Sequence, residues 1–156
     1  MNRADDRVVG RAAPPDPVGL YEPFAHSGGL LALSAISSSR DGQLVTGKVG
    51  RDLDLAAAQV AAKRAAENLL AVLFDAVDGR EDRIRQILMV RGYVNASEDF
   101  ALVHKVIDAA SQVFIERLGD TGRHARTALG CATLPNNNAV TLEALVVVSP
   151  DPELSR

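Results

Sequence analysis

Between residues 55 and 78 the chain sets Ala58, Ala62, Ala65, Leu69, Val72 and Ala76 at helical spacing. That stripe restricts the folds open to it more than any other feature. Residues three and four apart share one face of a helix, and Lys63, Arg64 and Glu67 fall off this one. A face of alanines has little bulk, so it must lie close against a broad apolar surface such as a sheet. The helix is expected to open at Asp52 or Asp54, where acids meet the positive end of its dipole. Asp78-Gly79 should end it.

Strand-like segments flank this helix. Tyr21 to His26 is short and is broken at Gly28-Gly29. Leu30 to Ile36 is a compact apolar run, and Asp41-Gly42 predicts a turn into a partner strand over Leu44 to Val49. Arg83 to Val94 reads as a strand with Ile84, Leu88, Val90 and Val94 on one face and Ile87, Met89 and Tyr93 on the other. Ser97 has the character of an N-cap for a second helix that buries Phe100, Val103, Ile107, Ala110 and Phe114 and stops at Gly119. Two strands, Thr127–Thr133 and Val140–Val148, should follow, with Leu134 to Asn138 turning between them. The expected order is β-β-β-α-β-α-β-β, an α+β domain with about six strands in a mixed sheet and two helices on one face. Residues 1–18, with Pro14, Pro15 and Pro17, read as an extended lead-in. Residues 19–148 form the domain, and 149–156 a polar tail. Two helices cover only one face of a sheet whose strands are apolar on both. The other face calls for a further partner, most simply a second copy of the chain.

Composition narrows the functional classes. A net charge of −3 gives no electrostatic case for nucleic acid. With 4% aromatics and no Trp there is no platform on which bases could stack. No apolar run is long enough to span a bilayer. The single Cys131 cannot form an internal disulfide, and the first residues lack the apolar core of a secretion signal, so the cytoplasm is the expected compartment. His26, His104 and His124 share no ligand spacing, so no metal site is expected. Gly47-Lys48 lacks the upstream glycine of a phosphate-binding loop, and no other cofactor motif is present. The Ser37-Ser38-Ser39 run has the composition of a surface turn.

Two residues stand out. Arg126 enters an apolar strand on the same face as Ala128, Gly130 and Ala132. A guanidinium there can take a carboxylate bidentately, can stand exposed at a strand end, or can pair with Glu143. Glu143 lies inside the last apolar strand, where an acid is either a paired acceptor or a proton-transfer group.

The segment His124-Ala125-Arg126-Thr127-Ala128, with Leu134-Pro135 and Thr141-Leu142-Glu143-Ala144 following, resembles the end of RidA/YjgF (reactive-intermediate deaminase A) proteins. Tyr21 and Ser34 match that family's Tyr and Ser-Gly-Gln segment, and the Thr46-Gly47-Lys48-Val49-Gly50 run resembles a longer branch of it. The resemblance implies a chorismate-mutase-like fold and a homotrimer with ligand clefts between subunits. It also implies hydrolysis of small enamine or imine acids such as 2-aminoacrylate to keto acids and ammonia, without metal or organic cofactor. In that scheme Arg126 binds the substrate carboxylate, Tyr21 and Ser34 line the cleft, and Thr141 orients the attacking water. The chain departs from the family's deaminating members at Ala35 and Ile36, which replace a Gly-Gln pair, at Ala128 for a frequent Cys, and at Thr141, where an acid is usual. Those departures suit a second reading, a protein that binds small carboxylates without turning them over.

Overall fold

The computed structural model describes residues 16–17 and 19–150. The expected lead-in, apart from Asp16 and Pro17, and the tail beyond Pro150 lie outside the described residues. The elements are β1 (Phe24–Ser27), β2 (Leu30–Ser37), α1 (Leu55–Ala76), β3 (Ile84–Asn95), α2 (Val103–Leu118), β4 (Ala125–Cys131) and β5 (Val140–Val148). They make a mixed α+β domain around one five-stranded sheet in the order β1-β2-β5-β3-β4, one strand fewer than expected.

Every strand pair is antiparallel except β3 with β4. Because β5 runs antiparallel to both β2 and β3, those two run parallel to each other. Parallel strands need crossover connections, and α1 and α2 supply them for β2 to β3 and β3 to β4. Both crossovers step the same way across the sheet, so with one hand they lay both helices on one face. The core between helices and sheet is aliphatic and alanine-rich: Ala58, Ala61, Ala62, Ala65, Leu69 and Leu73 of α1 share one buried cluster with Leu31, Val90, Val94, Leu142 and Val146. At Gly92 a Cβ would stand 2.5 Å from Ile107 Cδ1, so the missing side chain lets α2 approach β3.

Local chemistry explains where the sequence reading failed. The first hairpin is β1 with β2, closed by Gly28 and Gly29 at φ 57° and 82°, the left-handed pair a tight hairpin turn requires. Asp41-Gly42 also forms a two-residue turn, with φ 52° and 74°, but its ladder ends at the single Arg40–Gln43 pair. Both edges of β2 are already occupied, by β1 and β5, so Leu44 to Val49 has no edge to join. It runs as a strap bridging Asn138 at Thr46 and Ala96 at Val49. Lys48 anchors the strap, its Nζ donating to Asn95 Oδ1 at 3.0 Å and to the carbonyl of Ala132.

The strap also displaces the second helix. Ser97 N donates to Val49 O, which holds the chain extended, so α2 begins at Val103 and Ser97 does not cap it. For α1 the cap is Asp54, which accepts from Ala57 N at 2.8 Å. Asp52 accepts from Lys48 N instead, and its bond with Arg51, with that backbone bond, draws its pKa down to about 2. Irregularities in β3 between Ile84 and Gln86 and between Ile87 and Met89 change the alternation. Ile87 turns inward with Ile84, Val90 and Val94, while Leu88 turns out and is 40% exposed. β4 starts two residues earlier than expected and pairs with β3, so the two last strands are not neighbours. Ser38 is fully buried, its Oγ accepting from Val45 N, so the triple serine is only partly surface.

Candidate functional site

Opposite the helices the sheet presents partly exposed apolar residues, with Leu30 at 45% and Leu129 at 50% exposure. A groove of about 1630 Å³ runs from the helix pair past β2 to β5. Tyr21, Ser34 and Thr141 all line it, so the structure brings these three expected site residues together. Ser34 sits where the β2–β5 register shifts, between Leu33 and Ile36. Its hydroxyl donates to Glu22 O at 2.6 Å and its N–H donates to Pro23 O, which ties the segment bearing Tyr21 to the sheet. Ile36 is buried and lines the groove between Ala35 and the polar Ser37. Thr141 lies on β5 opposite Ser37 and Tyr93, and is 8% exposed.

Further residues shape the same wall, Asn68 among them not singled out by the sequence reading. Asn68 of α1 is buried and donates through Nδ2 to Ser37 O at 2.9 Å and Ser39 O at 2.7 Å, fixing the turn after β2. Its place on the α1 stripe, as a lone amide among alanines and leucines, was the available signal. Glu143 also lines the groove, and its partners are Arg91 Nη1 at 2.9 Å and Tyr93 OH at 3.1 Å, not Arg126. Arg91 stands directly opposite Glu143 across the ladder, a pairing that only the register reveals.

Arg126 is elsewhere. It pairs with Val90 on the helix-covered face of the sheet, and α2 fills the space in front of it. Nη1 donates to Asp108 Oδ1 at 2.8 Å and to Ser111 Oγ at 3.1 Å. The bond from Arg126 holds the Asp108 carboxyl below its ordinary value. Both contacts use one nitrogen; among the described residues Nε and Nη2 have no partner, and the side chain is 24% exposed. Ser111 also bonds His124 Nε2 at 3.0 Å, while His124 Nδ1 meets Gly122 O at 2.6 Å. A carbonyl can only accept, so Nδ1 carries the proton, Nε2 accepts from Ser111, and Ser111 accepts from Arg126. Burial above all, with the Arg126 charge, lowers the His124 pKa. Among the described residues no three His, Cys, Asp or Glu side chains converge as a metal would require. No helix among them is long and apolar enough to cross a membrane.

Comparison with known proteins agrees with this architecture. Residues 11–148 match the family described as "YjgF/chorismate mutase-like, putative endoribonuclease". Protein TCP17 of Trypanosoma cruzi is 33% identical over 132 residues, 83% of this chain and 82% of that one. A crystal structure of a protein of unknown function from Agrobacterium tumefaciens is 41% identical, covers 86% of each chain and superposes with a TM-score of 0.83. Another from Shewanella oneidensis, bearing the same endoribonuclease description, is 26% identical over 89% of this chain and 92% of that one, with a TM-score of 0.85. Sequence match, strand order and the paired helices agree, and the chain belongs to the YjgF/RidA family, with its chorismate-mutase-like fold.

Proposed function

We propose that the protein is a cytoplasmic homotrimer that hydrolyses small enamine and imine carboxylic acids to keto acids and ammonia. The observation that carries this reading is the state of Arg126. Its guanidinium is fixed through Nη1 alone, which leaves the Nε–Nη2 edge to take a carboxylate side-on. Arg126 lies on β4, an edge strand of the sheet, and does not line the groove of its own chain. A neighbouring copy, seated on the partly exposed apolar face, would complete a cleft between that edge and the Tyr21–Ser34–Thr141 wall. The carboxylate then rests on Arg126, and the imine carbon faces the groove, where the Thr141 hydroxyl orients the attacking water.

The endoribonuclease description fits the groove poorly. Five carboxylates line it against two guanidiniums, Arg40 and Arg117, which bond Glu67 and Glu81. A polyanion gains most of its affinity from unpaired cations, and this wall offers few. Carboxylates do suit the cationic end of a protonated imine.

A second reading, binding without turnover, is favoured by one feature. Thr141 brings a hydroxyl, not a carboxylate, to the β5 position paired with Tyr93. Both readings require the Arg126 anchor. Losing a charge-assisted pair should weaken keto-acid binding roughly ten- to a hundredfold or more in Arg126→Ala, and Arg126→Lys should recover only part of it. Calorimetry with small keto acids, beside a deamination assay on freshly generated 2-aminoacrylate, separates the two readings. Equal affinity in all three proteins would eliminate the anchor.

A further inference from the structure

The outer face of the sheet carries a polar cluster of which the function above uses only Thr141. Arg91 and Tyr93 stand across the β3–β5 ladder from Glu143 and Thr141. Arg91 Nη1 and Tyr93 OH both donate to Glu143 Oε1, at 2.9 and 3.1 Å. Two donors on one oxygen fix the carboxylate's orientation and leave Oε2 without a hydrogen-bond partner among the described residues. The Glu143 side chain is 29% exposed and lines the same groove as Tyr21, Ser34 and Thr141. Thr141 and Glu143 are two residues apart on one strand face, about 7 Å between Cα atoms by strand geometry. A water molecule can bond both side chains across such a gap. Three of the other four groove carboxylates are placed differently: Glu67 is bonded to Arg40, Glu116 accepts from Gln112 on the surface of α2, and Asp41 sits in the exposed turn. Burial first, and then the Glu143 charge, raise the Tyr93 pKa, so its phenol remains a donor at neutral pH.

We propose that Glu143 is the general base of this groove, with Arg91 and Tyr93 as its positioning residues. The assignment rests on the hydrolytic reading given above. Water oriented by Thr141 adds to the carbon of the protonated imine, and the C=N π pair moves onto nitrogen. The proton shed by the water passes to Glu143 Oε2. Glu143 then returns that proton to the nitrogen, and the C–N bond breaks as the hydroxyl oxygen closes to a carbonyl and gives its own proton to Glu143. Ammonia takes this last proton and leaves as ammonium, which restores the carboxylate. One imine cation and one water become one keto acid and one ammonium, with no other reactant.

The test is steady-state hydrolysis of freshly generated 2-aminoacrylate and its larger homologues. Glu143→Gln should lower kcat about 10²- to 10⁴-fold, the usual span for a positioned base, with little change in KM. Tyr93→Phe should lower kcat less. Formate added to Glu143→Gly should restore part of kcat, which a purely structural side chain would not allow. Wild-type turnover with undiminished kcat in Glu143→Gln, or a folded Glu143→Gly that formate does not rescue, overturns the base and leaves the hydrolytic function standing. Absence of wild-type turnover on the whole panel overturns both.

Discussion

At the scale of single residues, the chain of bonds from Gly122 O through His124 and Ser111 to Arg126 has a direction, and that direction depends on pH. It needs His124 neutral, with Nε2 as acceptor. The folded protein holds the imidazole below its ordinary value, mainly through burial. The unfolded chain therefore takes up the proton first as pH falls, and stability declines from about 6.5 downward until the folded form also titrates. Melting temperature should fall between pH 7 and 5, and His124→Gln should flatten that slope; an unchanged slope would show that the network does not govern it. Of the residues around Arg126, sequence reading found the guanidinium and its face but not its neighbours. Asp108 and Ser111 lie on a helix fifteen or more positions away, and one residue's alternation says nothing about which helix covers it. Tyr21, Ser34 and Thr141 were legible as a set only through their resemblance to a known pattern, since their meeting depends on a register shift inside β2.

At the scale of elements, the alanine stripe announced α1 because it repeats over about five turns, from Ala58 to Ala76. α2 was legible in its apolar positions and misplaced in its start, because the strap through Lys48 pulls Ser97 into an extended bridge. The missing strand has an equally local cause: a hairpin signal at Asp41-Gly42 cannot extend when its first strand is saturated on both edges. The contact of α2 with β3 gives a test of packing. Gly92→Ala would place a methyl 2.5 Å from Ile107 Cδ1 and 2.7 Å from Cγ1, inside a fully buried cluster. Overpacking of this kind costs about 1–3 kcal/mol. The denaturation midpoint should fall accordingly, and Ile107→Val in the same chain should recover part of the loss. If Gly92→Ala unfolds at the wild-type midpoint, α2 has room to move.

At the scale of the whole molecule, one sheet face is covered by α1 and α2, and the other shows Leu30, Leu88 and Leu129 to solvent. We expect light scattering to give three chains per particle. Charges placed in that face, as in Leu129→Glu with Leu30→Glu, should yield monomers. A monodisperse wild-type monomer at micromolar concentration would remove the proposed cleft. The order of the strands also bears on how the protein comes into being. β5 lies between β2 and β3, yet it is the last of the five to be made. Until residue 148 has left the ribosome, the strands on either side of that slot have no partner in it, and their inward apolar faces lack a finished sheet. Loop closure between β2 and β5 spans more than a hundred residues, a long-range pairing of the kind that slows folding. Once α2 is made, the nascent chain carries two helices and an open slot until β5 follows, and closing that slot is the step at which chaperones or aggregation compete with folding.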